Sequence, residues 1–144
     1  MKPVSVAAFV VSFLACPAAM AQALSFPELQ QKGVVKLSAQ DLRGIAEGAK
    51  VIDRAATGSE RQWVNETGGE FAAVSSNAST PGGKPVYGKG MWRIEDDGRY
   101  CVDIAWRASS EKWCRHVFRS GDKLYSSTGG SKPDVKAYEI EFRK

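Results

Sequence analysis

The chain has 144 residues, enough for one domain of ordinary size and too few for two. At 43% hydrophobic and 25% charged it fits none of the collagen-like, coiled-coil or disordered compositions. One histidine and a net charge of +4 give little material for a histidine-based metal site, a Ser-His-Asp enzyme or a nucleic-acid binder.

In chain order, Met1-Lys2-Pro3, the apolar run Val4 to Leu14 and the small-residue tail Ala15 to Ala23 have the form of a secretory signal peptide. The run is shorter than the roughly 20 residues of a bilayer span, and no later stretch is apolar enough, so no transmembrane segment is expected. Ala19-Met20-Ala21 and Ala21-Gln22-Ala23 offer cleavage near Ala21 or Ala23, giving a periplasmic or secreted protein. A lipoprotein anchor through Cys16 is not expected, because Phe13 and Pro17 fit that pattern poorly. Removing residues 1–23 takes Cys16, so three cysteines become two. It also takes Lys2 and no acid, so +4 becomes +3.

Residues 24–50 read as two short helices. The first runs from a Ser25 N-cap, with Pro27 early in the first turn, to Gly33. The second lies between Leu37 and Gly48. Ser38 and Asp41 sit in capping-box positions, and Leu42, Ile45 and Ala46 share one face.

From about Val51 to the end, residues 51–144, the apolar pattern has period two. Strands are expected at Glu60–Asn65, Glu70–Ser76, Lys89–Glu95, Arg99–Trp106, Lys112–Arg119, around Leu124 and Tyr125, and at Val135–Arg143. Asn77 to Gly90, with two prolines and four glycines, reads as a long exposed loop. Asp96-Asp97-Gly98 reads as a tight hairpin turn with Gly98 in the left-handed region. Hairpin after hairpin predicts a mainly β fold, a small antiparallel up-and-down barrel or half-barrel, behind the two N-terminal helices.

Two cysteines in an exported chain most simply form one disulfide, Cys101–Cys114. If these face each other, Val102 meets Trp113 and Tyr100 meets Arg115, which keeps the apolar faces together. A turn centred on Ser109-Ser110 would shift that register. The competing chemistry is a Cys114/His116 pair on one strand face, where the histidine activates a thiolate. A bridged cysteine is no nucleophile.

Trp63, Trp92, Tyr100, Trp106, Trp113 and Tyr125 are the candidate lining of a ligand cup, with core packing as the plainer alternative. Arg93, Arg99, Arg107, Arg115 and Arg119 would form a basic stripe or, with the interleaved acids, a mixed solvated surface. Asp96 and Asp97 would hold a cation or simply make the turn.

Three motifs, Gly90-x-Trp92-Arg93-Ile94, Gly98-Arg99-Tyr100-Cys101 followed by Trp106, and Trp113-Cys114-x-x-Val117-Phe118, join a leading Leu37-Ser38-Ala39-x-x-Leu42. Over roughly Leu37 to Phe142 the chain resembles small exported proteobacterial proteins in or near the family called domain of unknown function 995. That resemblance implies a periplasmic, calycin-like sheet and transfers no catalytic residue. The chain departs from the pattern in its Pro/Gly loop and in the wide spacing of its cysteines.

The expected function is therefore a non-enzymatic binding or interaction module taking a small apolar ligand or a protein partner. It would need no cofactor, metal, nucleic acid or catalytic residue. An exported inhibitor or accessory protein acting through protein–protein contact is the alternative, and a small hydrolase ranks third.

Overall fold

The computed structural model of the chain describes residues 23–76, 83–129 and 132–144. The expected leader and the first part of the expected Pro/Gly loop lie outside the described residues. Ten strands and two helices follow in order. They are β1 (Leu24–Ser25), α1 (Phe26–Gln31), β2 (Val35–Lys36), α2 (Ala39–Ala46), β3 (Lys50–Arg54), β4 (Glu60–Val64), β5 (Glu70–Ser75), β6 (Val86–Ile94), β7 (Arg99–Trp106), β8 (Ser110–Ser120), β9 (Lys123–Ser127) and β10 (Lys136–Arg143).

Each of β3 to β9 pairs antiparallel with the next strand in sequence. β10 pairs with β9 on one side and with β3 on the other, through Ile140 opposite Asp53 and Phe142 opposite Val51. The result is a closed eight-stranded up-and-down barrel, with no half-open edge. β1 and β2 fill the two places where a barrel neighbour is too short. β1 continues β10 past the end of β3, with Leu24 opposite Ala137. β2 continues β8 past the start of β7, with Lys36 opposite Phe118.

The hairpin at the centre forms for the reason its sequence states. Gly98, at φ +81°, donates its N–H to the Glu95 carbonyl, while the Glu95 N–H donates to the Arg99 carbonyl. That geometry requires a residue without a Cβ. Asp97 accepts from the Arg99 backbone N–H and from Arg99 Nε, so the acidic pair is the turn itself.

The disulfide joins Cys101 and Cys114, which stand directly opposite each other, with Val102 opposite Trp113 and Tyr100 opposite Arg115. The register expected from the apolar pattern is the one present. The expected loop to Gly90 is shorter than its glycines suggested, since Val86 to Gly90 belongs to β6. A Cβ on Gly88 would lie 2.6 Å from the Trp106 ring, and one on Gly90 2.4 Å from the Phe71 ring. These glycines are interior positions where a ring lies on the backbone, not turn residues.

The barrel interior is the main core. Trp63 stacks on Phe71 with ring centroids 5.2 Å apart, and Tyr100 meets Phe142 edge-on at 5.3 Å. Tyr100 is fully buried. Its hydroxyl donates to Asn65 Oδ1 and accepts from Trp63 Nε1, and Asn65 Nδ2 in turn donates to the Ala46 carbonyl. Through this chain α2 is tied across one end of the barrel. Leu42 and Ala46 are fully buried there, and Ser38 caps the helix by accepting from the Asp41 N–H. Burial of an aliphatic side chain such as Leu42 stabilises by roughly 1.5–3 kcal/mol. α1 packs instead on the outside of the barrel, where Leu29, Tyr125 and Ala137 form a second, smaller core.

Candidate functional site

At the end opposite α2 the interior changes character. Asp53, on β3, points inward and is fully buried. Its Oδ2 accepts from Arg61 Nη2 at 2.5 Å and its Oδ1 from Arg115 Nη1 at 3.0 Å. Arg61 Nη1 donates to Glu111 Oε2, and Glu111 Oε1 accepts from Trp106 Nε1 at 2.8 Å. Arg115 also lies over the Trp113 ring, 3.9 Å from its centre. Strand alternation makes this possible. Arg61 shares its face with Trp63, and Arg115 shares its face with Trp113 and Val117.

The set holds two guanidiniums and two carboxylates and is neutral as a whole. Burial pulls the Glu111 pKa up, but hydrogen bonds from Arg61 and Trp106 and the charge of Arg61 outweigh it, leaving the carboxyl below its ordinary range. Burial alone would lower Arg61, and the charges of Asp53 and Glu111 turn that into a net rise. Arg115 is pushed down, first by burial, with Arg61 nearby adding to it. Both arginines remain cations. Arg61 is nine-tenths buried, and its Nε has no hydrogen-bond partner.

Above this network the barrel opens into a cavity of about 480 Å³ lined by Arg61, Glu111 and Trp106, by the hydroxyl residues Thr57, Ser59, Ser75 and Ser109, by the exposed Arg107, and by the apolar Ala55, Val86 and Ala108. The β3–β4 and β7–β8 turns rim it. A second depression of about 710 Å³ lies on the outer face of β5, β6 and β7, beside Ala72, Lys89, Met91 and Asp103.

Of the six aromatics expected to line a cup, Trp63, Tyr100 and Trp113 are interior rings packed on one another. Trp92 packs on Tyr100, and its Nε1 donates to the Glu66 carbonyl. Trp106 alone among them lines the open cavity, and Tyr125 lies on the outer face under α1. His116 also faces outward, with its pKa lowered by burial and by nearby Lys36. Of the expected basic stripe, Arg115 points into the barrel, while Arg93 and Arg99 pair outside with Glu95 and Asp97. The single grouping of metal-type side chains found among the described residues, Glu95 with Cys101 and Cys114, has both sulfurs committed to the disulfide.

A family model described as "Protein of unknown function (DUF995)" matches residues 29–132. The chain belongs to the DUF995 family. The match runs from α1 to the loop before β10, so it takes in seven of the eight barrel strands of this DUF995 protein and every member of the buried charge network. No curated protein and no solved structure matches the sequence.

The sequence pattern pointed to the aromatics, placed Arg115 in a basic stripe rather than in the interior, and did not single out Asp53, Arg61 or Glu111 as a site. The signal was present in the alternation itself. Arg61 and Arg115 fall on the same faces as interior tryptophans, and a charge on a core face calls for a buried partner.

Proposed function

We propose that this protein is an exported, non-enzymatic binding module whose small ligand enters the open end of the barrel. One observation carries it. The α2 end is packed with rings, while the other end opens on a cavity of about 480 Å³ whose polar floor is already fixed by hydrogen bonds. That volume falls among those of small-molecule sites, and pre-positioned polar groups are what such sites require. Because Arg61 and Glu111 stand in its floor beside apolar Ala55, Val86, Trp106 and Ala108, a ligand with a polar edge and an apolar face fits better than the wholly apolar one expected from the aromatics.

Several features favour binding over catalysis. Glu111 is held ionised by Arg61 and Trp106, so it is a poor proton donor. His116 faces away from the cavity, and Cys114 is bridged. Export is supported by the composition of residues 1–23 and by the disulfide, which belongs to oxidising compartments. No helix among the described residues is long and apolar enough to cross a membrane.

The test is a thermal-shift screen of polar and apolar small molecules, run in parallel on the wild type and Trp106→Ala. A ligand at 100 times its Kd stabilises by about 2.7 kcal/mol. The expected result is a polar compound that raises Tm in the wild type and not in the variant. An equal rise in a folded Trp106→Ala protein places the ligand elsewhere and overturns the proposal.

A protein-contact role as an inhibitor or accessory protein has its own support in Tyr87 and Met91. Both are well exposed, at 71% and 48%, on the outer face of β6 beside the second depression. Pull-down from a periplasmic extract with wild type and a Tyr87→Ala/Met91→Ala double variant tests it. Recovery of one stoichiometric partner by the wild type alone is the expected result, and equal recovery by both overturns it.

A further inference from the structure

We infer that the mouth of the barrel is built for a neutral, hydroxyl-rich ligand, a mono- or disaccharide. The inference rests on the binding proposal above and adds the chemical class of the ligand.

Charge is the first discriminator. The floor pairs Arg61 and Arg115 with Asp53 and Glu111, so its charges already cancel, and the further charged lining residue, Arg107, sits exposed at the rim where water screens it. A small anion reaching Arg61 meets the two carboxylates that hold it. A small cation reaching Glu111 meets Arg61. At the buried floor either ion loses water without gaining an uncompensated partner, which costs free energy. A neutral ligand has no such penalty.

Hydrogen-bond capacity is the second. A guanidinium has five N–H donors, and Arg61 directs hydrogen bonds to only two acceptor groups, Glu111 and Asp53. Its Nε–H has no acceptor but is closed off from solvent, so the donors left for a ligand are the second N–H on each Nη. A carboxylate accepts about four hydrogen bonds, and Glu111 receives one from Arg61 and one from Trp106. The floor therefore has both donor and acceptor capacity left. A vicinal diol, each hydroxyl of which donates and accepts, matches a guanidinium–carboxylate pair on both counts. Ser59, Ser75 and Ser109 add hydroxyls around the wall.

The third is the one aromatic at the mouth. Trp106 is half-buried, and its Nε1 is anchored to Glu111, which fixes the ring. Gly88 lies opposite it on β6, where any Cβ would meet the ring. A fixed indole beside hydroxyl-binding groups suits a pyranose, whose C–H face is apolar and whose edge is polar. A fully apolar guest would leave the guanidinium and carboxylate capacity unanswered.

The experiment is a titration of ¹⁵N-labelled protein, following the indole Nε1–H signals of its four tryptophans. The probes are glucose, galactose, N-acetylglucosamine, maltose and cellobiose, with succinate, putrescine and laurate as the anionic, cationic and apolar controls. At least one saccharide is expected to move the Trp106 signal saturably while the buried Trp63 signal stays put. Its Kd, read from backbone amide signals around the cavity so that the loss of the indole does not matter, should rise about tenfold in Trp106→Ala, and also in Ser59→Ala/Ser75→Ala, a variant that removes hydroxyls with little change in volume and guards against misfolding of the first. Movement of Trp106 by succinate, putrescine or laurate, and by no saccharide, overturns the class and leaves the binding proposal standing. If no probe moves Trp106, both are overturned.

Discussion

Asp53 is the residue on which the polar half of the barrel depends. Among the described residues it is the only carboxylate in contact with both interior arginines. Replacing it with alanine leaves two buried guanidiniums facing each other without their shared counter-charge. Breaking a buried pair in this way costs about 3–5 kcal/mol. Asp53→Ala should therefore lower Tm by more than 10 °C, taking about 4 °C for each kcal/mol, or prevent folding, by circular dichroism. Glu111 sets a pH dependence of definite sign. Its pKa is lowered in the fold, so its ion pair stabilises fully above the ordinary value of 4.5 and progressively less as the pH falls through that value. Acidification from about pH 5 to pH 3 should lower Tm, and Glu111→Gln should flatten part of that slope. Only part is involved, because Glu141 on the outer face, between Arg54 and Arg143, has its pKa lowered too.

Among the elements, the β7–β8 pair is fixed twice, by the bridge and by the alternation of Tyr100, Val102, Ile104 and Trp106. Its cysteines are 13 residues apart, and a loop of about that length is worth roughly 3 kcal/mol in the chain-entropy account. Cys101→Ala/Cys114→Ala should therefore lose stability of that order in chemical denaturation yet keep the same strand pairing in amide exchange. A shifted register would show that the apolar pattern alone does not specify it. Gly90 on β6 makes the complementary prediction. A methyl there must displace both the Phe71 ring and the Asp103 carbonyl, so Gly90→Ala should cost at least about 1–3 kcal/mol by urea denaturation, as over-packing does.

These elements also show what could be read in advance. The β6–β7 turn announced itself through Asp97 and Gly98, because turn chemistry is local. The register announced itself because a slip by one residue would turn Tyr100, Val102 and Ile104 outward. β3 did not. It carries the charged Asp53 between the buried Ile52 and Arg54, and that charge makes sense only once Arg61 and Arg115 arrive from two other strands. The start of β6 was hidden in the same way, since Gly88 and Gly90 look like loop residues until Trp106 and Phe71 are laid over them. The ring-filled half of the site was thus legible from one strand at a time, and the polar half only from the closed barrel.

For the whole molecule, closure is a long-range event. β10 pairs with β9, with β3 and with β1, so the last strand in the sequence locks the first strands of the domain. A chain ending before Lys136 should show no cooperative thermal transition, because β3 and β9 would both be left with an open edge. Contacts so far apart in sequence make folding slow. For an exported chain that delay has a use. If the chain is exported as proposed, it would stay loose enough to be threaded through a narrow channel until its eight-residue strand β10 has passed. In that interval Cys101, 1% exposed once folded, is still open to oxidation. On the export proposal, the connectivity that seals the barrel also acts as a timer, holding back the native state until transport and oxidation are done.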